Sequence, residues 1–550
     1  MMRRFASCMV ALALLAAACS PSPGSSDSTT TTSGATTTSA PAGSTTTTPS
    51  GPVPGSAFVV ALGTEPPHLI RAFDTSTSTG LAGTPVMESL ISGMDKEGNP
   101  VPQLAESWDI SDDGLTYTFH LRENAQWHDG EPFTADDVVF TVEELLPVSP
   151  NAAAVNSVLA GAEATDSSTV VMTLTRPFAP FVAAWSPDRL VIVPKHLYEG
   201  TDLAANELNR APVGTGPYKF VSWDQGVITL EASSTWWGGT PMVERLVFRV
   251  IADANTRLTA LQTGEIDYIS LQDLSPEGAA RFDGQDDISL EAHRADPTLT
   301  MFQFNLRNEI LANVEVRQAI MIALDRDAMA EVYGFDSRPG KSMSPSTLWS
   351  NSDVDYNEIY PHNLDVARSM LDAAGYPVGA SGTRFPLTLV YRNTIAGEIR
   401  AVEVAGANLR DVGIDVELVS MDSTAWRSRV FNDYDFDISS AGIVAAPDPA
   451  TNIQSYYTCT TQPGDNNPTG YCNEELDEMF AAAAVPSDRQ ARIDLYAEIE
   501  ALIAEELPTA VVVEREVAGA YRNTFGGMEE FFSYSTFVAW NWAALTPPAN

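Results

Sequence analysis

The chain has 550 residues, of which 44% are hydrophobic, 9% aromatic and 19% charged. That is the make-up of a soluble globular protein too long for one domain, and roughly three are expected by length. The net charge of -41, with 31 Lys and Arg against 72 Asp and Glu, excludes nucleic acid as a partner, because neutralising phosphates needs clustered cations. The acidity is read as a solubility device, not as a lure for a cationic ligand.

In chain order, Arg3-Arg4 and the apolar run Phe5 to Ala18 form a secretory signal, too short to remain as a membrane span. It ends in Leu14-Leu15-Ala16-Ala17-Ala18-Cys19, which resembles a bacterial lipobox with Ala16 in the place usually held by Leu. The motif implies diacylglycerol on the Cys19 thiol and a membrane anchor at the cell surface or in the periplasm, since two acyl chains on one residue hold stably. The segment from Ser20 to Gly55 is almost wholly Ser, Thr, Pro, Gly and Ala. It cannot bury enough apolar surface to offset chain entropy, so it is predicted to be a flexible tether spanning on the order of 30 to 35 Å.

Further on, short β-like runs (Ala57 to Leu62, Thr116 to Leu121, Thr169 to Leu174) alternate with helical patterns at 135–144, opened by Thr134 as N-cap, and at 314–332. Interleaved strands and helices predict α/β domains. Asp112-Asp113-Gly114 and His128-Asp129-Gly130 read as turns. The glycines of Gly214-Thr215-Gly216-Pro217 lack the lysine and spacing of a phosphate loop, and are predicted to allow a tight chain crossing. Two of the four cysteines belong to the export signal, so Cys459 and Cys472 are the pair left for a disulfide; two thiols with no histidine near make an incomplete zinc set. No HExxH or GxSxG pattern occurs, and no metal, cofactor or catalytic residue is expected.

The blocks Gln103-Leu104-Ala105-Glu106-Ser107-Trp108, Ser111 to Arg122 and Trp127 to Val138 resemble the signature of the oligopeptide and dipeptide class, family 5, of solute-binding proteins of ABC importers. Further matches keep the family order: Pro212 to Tyr218, Leu261 to Asp267, Val316 to Ile320, Leu324-Asp325-Arg326 and Gly470 to Asp477. The resemblance implies an α/β fold of two lobes joined by a hinge, with an extra domain inserted in the first lobe. The division is signal 1–19, tether 20–56, first lobe 57–92, 210–296 and 514–550, inserted domain 93–209, and second lobe 297–513. It also implies a monomeric receptor that closes on a small solute and delivers it to permease and ATPase subunits. Alternative readings are a surface adhesion or signalling module, or a hydrolase.

Carried over residue by residue, the resemblance suggests ligand contacts from Thr75, Ser76 and Thr77, from Asn305 near the hinge, from Trp426, and from Gly442-Ile443-Val444-Ala445 with Asp448. Peptide binders of the family often carry an aspartate four positions before the proline of the Asp-Pro pair, where it meets the ligand's ammonium group; here that position is Ala445. A buried ammonium without a counter-charge costs several kcal/mol. Either Asp448 takes the role, or the ligand lacks a free amine and is a blocked peptide, a sugar, an opine or a metal chelate.

Overall fold

The computed structural model describes residues 51–548 apart from 75, 96, 272, 347, 445–447, 460–464, 486–488 and 534–539. The export signal with Cys19, nearly all of the tether, Thr75 and Ala445 lie outside the described residues.

Folded structure begins earlier than the composition suggests. The first strand is Val53–Leu62, so the last residues assigned to the tether belong to the sheet. Val53 pairs with Val243, and the backbone N–H of Glu244 donates to Ser56 Oγ at 2.9 Å. A Ser can enter a strand wherever its hydroxyl finds a backbone partner, which composition does not report.

Among the described residues one sheet of eleven strands carries the fold. From one edge its order is Asp415–Met421, Pro386–Arg392, Ile438–Val444, Ile288–Phe304, Thr509–Arg522, Tyr268–Ile269, Val53–Leu62, Val243–Val250, Val227–Ala232 and Tyr218–Asp224, with Arg338–Pro339 attached to Thr509–Arg522. Apolar side chains gather into separate cores along it. One forms around Phe58, Val60, Leu246 and Phe248, and another around Leu299, Met301, Ile320, Leu389 and Val511. A smaller antiparallel sheet, Ala105–Ile110, Thr116–Leu121, Thr169–Leu174 and Leu159–Asp166, has its own core around Tyr117, Phe119, Trp127 and Trp185. Phe140, Leu145, Val191, Val193 and Tyr198 all fall inside segment 93–209, yet they belong to the core of Phe58 and Val60. The chain thus rejoins the first core well before residue 209.

Two long strands, Ile288–Phe304 and Thr509–Arg522, run from the second core to a smaller one around Ala61, Leu261, Ile269 and Phe282, which shares the strand Val53–Leu62 with the first. They run antiparallel, and their register breaks midway: His293 pairs with Val517 but Thr298 with Arg515, leaving residues 294–297 opposite Glu516. A bulge of this kind bends and twists the ribbon where the ladder is interrupted. The expected boundaries at 296/297 and 513/514 fall inside these two strands.

Local chemistry explains much of the rest. Ser111-Asp112-Asp113-Gly114 closes a hairpin, with Gly114 at φ 66 and the Ser111 N–H donating to Thr116 O at 3.0 Å. Thr134 and Asp137 cap each other at the start of Ala135–Phe140, and the helix then widens into a π-helical turn, Thr141–Leu145. The periodic run 314–332 is two helices and not one, Val314–Ala323 and Arg326–Glu331, because Asp325 accepts from the Ala328 N–H at 3.0 Å and so starts the second. At the Gly214 crossing a Cβ would sit 1.9 Å from the Val86 carbonyl oxygen, so only glycine fits. His128 clamps this crossing: its Nε2–H donates to Gly216 O at 2.9 Å and its Nδ1 accepts from the Gly214 N–H at 3.2 Å. Cys459 and Cys472 lie at disulfide distance, S–S 2.05 Å.

Candidate functional site

A cavity of about 620 Å³ opens where the two crossing strands meet both cores. The first core's side supplies Arg257, Asp273, Ser275, Pro276 and Glu277. Tyr333, Arg392, Thr394 to Gly397, Arg400 and Gly442 come from the second, and Thr298, Arg515, Glu516 and Val517 from the crossing strands themselves. The volume lies within the usual range for small-molecule sites.

Each charged group is held by identifiable neighbours. Arg392 ends the strand Pro386–Arg392, and its Nη2–H donates to Glu398 Oε2 at 2.8 Å, in the first turn of the helix Ala396–Asp411. Its guanidinium lies 5.0 Å from the Trp426 ring centroid. Gly442 makes room for this arrangement, since a Cβ there would meet Arg392 Nη2 at 2.8 Å and Arg515 Nη1 at 3.8 Å. Arg515 lies over the Tyr333 ring at 5.1 Å, and the Tyr333 hydroxyl is 2.8 Å from Thr300 Oγ1. Burial pushes the Tyr333 phenol up to about 12 and lowers the Arg515 guanidinium. A Cβ at Gly397 would lie 2.4 Å from the Tyr333 ring, so the helix can pack on that ring only through glycine.

The two sides touch at several points. Arg400 Nη1 is 3.3 Å from Glu277 Oε1, while its Nε–H donates to Val332 O at 2.9 Å. At the small sheet, the Ala179 N–H donates to Ala484 O at 2.6 Å and Arg489 Nη1–H to Asn99 Oδ1 at 3.3 Å. The cleft is therefore bridged from both halves of the molecule.

Among the residues suggested by sequence, Gly442 lines this cavity and Trp426 lies one layer behind it, with its Nε1–H donating to Ser439 Oγ at 3.2 Å. Ile443, next along the strand, points into the core at 2% exposure, as strand alternation requires. The Val444 backbone pairs with Thr298. Ser76 caps the helix Thr77–Gly83, accepting from the Thr79 N–H at 3.3 Å and donating to Asp74 Oδ2 at 2.5 Å; neither Ser76 nor Thr77 lines the cavity. Asn305 serves the backbone, its Nδ2 donating to the carbonyls of Tyr434 at 3.0 Å and Phe436 at 2.8 Å. Asp448 is not available for an ammonium group. It holds Arg492 bidentately at 2.8 and 2.9 Å and caps Pro449–Thr451 through the Ala450 N–H at 3.1 Å. The ion pair is buried, so opening it for a ligand would strand Arg492.

Sequence reasoning missed Arg392, Arg515, Tyr333 and the Arg400–Glu277 contact. One signal was available: Glu514-Arg515-Glu516 interrupts the apolar run Ala510 to Val517, and charges in mid-strand ask for a reason.

Two cores joined by a strand ribbon, with a solute-sized cavity between them, define the class of two-lobed solute-binding proteins. The model of the bacterial extracellular solute-binding proteins, family 5 Middle, matches residues 99–464, and the chain belongs to that family, the extracytoplasmic receptors of ABC importers. It is 25% identical to a dipeptide-binding protein of Escherichia coli, covering 83% of this chain and 89% of that protein. To heme-binding protein A of Haemophilus influenzae it is 29% identical, over 74% and 77% of the two chains. The crystal structure of the ABC transporter substrate binding protein CtaP from Listeria monocytogenes superposes with a TM-score of 0.78 at 27% identity, covering 90% of this chain and 99% of that one.

Proposed function

We propose that this chain is a monomeric, lipid-anchored receptor that closes on one small peptide-like solute and presents it to the permease and ATPase subunits of an importer. The observation that carries the reading is the cavity of about 620 Å³ at the register break of the crossing strands, where a change of hinge angle moves both walls. Ligand contacts divided between two lobes favour the closed form, and a transporter can read that shape. The names of its relatives span dipeptides and heme. Peptides therefore head the list of solutes, with sugars, opines and metal chelates after them. Capture without chemistry accords with a family of non-enzymatic receptors.

The test is thermal unfolding of the full chain against a panel of di- to pentapeptides, oligosaccharides, opines and metal chelates. A true ligand at about 100 times its Kd stabilises by about 2.7 kcal/mol. Stabilisation by one class supports the reading, and a flat response across the panel overturns it.

A further inference from the structure

Among the described residues, the charged groups lining the cleft have hydrogen-bonding or ionic partners in all but one case. Arg257 donates from Nη1 to the carbonyls of Ile251 at 2.7 Å and Ala252 at 2.9 Å, with the Asp273 carboxylate 3.8 Å away. Arg392 has Glu398 and Arg400 has Glu277. Of the acids, Asp273 accepts from Ser270 Oγ at 2.9 Å and from the Gly63 N–H at 3.2 Å, and Glu516 is engaged as well. The Arg515 side chain makes no hydrogen bond or ion pair among the described residues and lies over the face of Tyr333. Partial burial lowers its guanidinium, with the nearby Tyr333 and Glu398 opposing that shift and Arg392 adding to it.

Position adds to this. Arg515 sits opposite Thr298 at the edge of the register break, on the ribbon that joins the lobes. Its Nη1 and the Nη2 of Arg392 both approach Gly442 on the side where a Cβ would stand, and all three residues line the cavity. Glu398 bonds Arg392 and not Arg515, and the buried Arg392 Nε is left without an acceptor. Among the described residues, two guanidiniums and no ion-paired partner for Arg515 stand at this part of the cavity wall.

We infer that the solute is an anion whose carboxylate, or an equivalent oxyanion, docks on Arg515 at the cavity wall beside Gly442, and that recognition needs no free ammonium group. This rests on the reading of the cleft as the solute site. A planar guanidinium backed by an aromatic ring offers paired N–H donors to a carboxylate, and such charge-assisted bonds are the strong ones. Because Arg515 stands on the hinge ribbon, the anion is compensated in full only when the lobes close and exclude water, which couples binding to closure.

The experiment uses the full chain and three probes of one size: N-acetyl-trialanine, an anion; its C-terminal amide, neutral; and trialanine amide, a cation. Calorimetry is run on the wild type, Arg515→Met and Arg515→Lys. The acid is expected to bind at least tenfold more tightly than the neutral amide, about 1.4 kcal/mol, with the cation weakest. Arg515→Met should erase that gap and Arg515→Lys should keep part of it, while the ligand-free melting temperature of Arg515→Met stays level or rises because a half-buried cation with no ion pair is gone. Equal binding of acid and amide, preference for the cation, or a gap that survives in Arg515→Met overturns the inference and leaves the receptor reading standing. If none of the three peptides binds, acetate against acetamide decides: stabilisation by acetate that is lost in Arg515→Met supports the anion site, and no difference overturns it.

Discussion

Arg400 and Glu277 meet across the cleft, Nη1 to Oε1 at 3.3 Å, one from the helix Ala396–Asp411 on the second core and the other from the short helix Pro276–Ala279 on the first. The Glu277 carboxyl is held below its usual range by a hydrogen bond from its own backbone N–H and then by Arg400. The pair is partly exposed, at 38% and 66%, so it is worth only a few tenths of a kcal/mol to about 1 kcal/mol. It biases closure without enforcing it. Glu277→Gln should weaken solute binding by about two- to fivefold on that basis, and small-angle scattering of the ligand-free protein should show a larger radius of gyration. An unchanged radius and affinity would rule out the latch.

Asp448→Asn tests the reassignment of that residue from ligand contact to scaffold. Its ion pair with Arg492 is buried on both sides, and breaking one partner of such a pair costs about 3–5 kcal/mol. Denaturant unfolding should register the loss. Solute affinity of the folded fraction should stay within about twofold, because Asp448 does not line the cavity. A large loss of affinity with stability intact would restore Asp448 to the binding site.

Two buried groups give the protein opposed responses to pH. His128 is held neutral by its place between Gly214 and Gly216, and burial lowers its pKa to about 4. The stability it confers is full above about pH 6.5, the unfolded value, and is lost as pH falls through 4, on the order of 3 kcal/mol in all. Glu88 accepts from the indole N–H groups of Trp236 at 3.1 Å and Trp237 at 2.9 Å, and burial raises its pKa to about 7. Its contribution is full below about pH 4.5 and is lost as pH rises through 7. Denaturation midpoints measured from pH 4 to 8 should show Glu88→Gln gaining on the wild type as pH rises, and His128→Asn gaining as pH falls. Parallel curves for either variant would refute its assignment.

Cys19→Ser removes the thiol that would carry the lipid. Anchoring needs two signals, and without the diacylglycerol the chain retains neither acyl chain. The variant should move from the membrane fraction to the soluble fraction or the medium, as followed by fractionation and blotting. Continued membrane retention with normal processing would show that Cys19 is not the anchor.

What the chain announces by itself is local. Ser111 to Gly114 closes a hairpin, Thr134 starts a helix, and Gly214 and Gly216 permit a crossing, because each depends on neighbours a few residues away. The family motifs are legible for a related reason: they are strings of such short-range requirements kept in order. Where two local signals competed the reading failed, as at Leu324-Asp325, where apolar periodicity carried a predicted helix straight through a capping residue.

The site was legible only in part, through Gly442 and, one layer behind it, Trp426. Which carboxylates are free depends on partners far along the chain: Asp448 is claimed by Arg492 and Glu398 by Arg392. Arg515 is left over because the register of two crossing strands places it opposite Thr298, beside Gly442 and over Tyr333. A charge in a sequence states what it can pair with. Sheet register and helix placement decide whether it does, and so the tertiary structure alone left the Arg515 side chain, among the described residues, at the cleft wall without an ion pair.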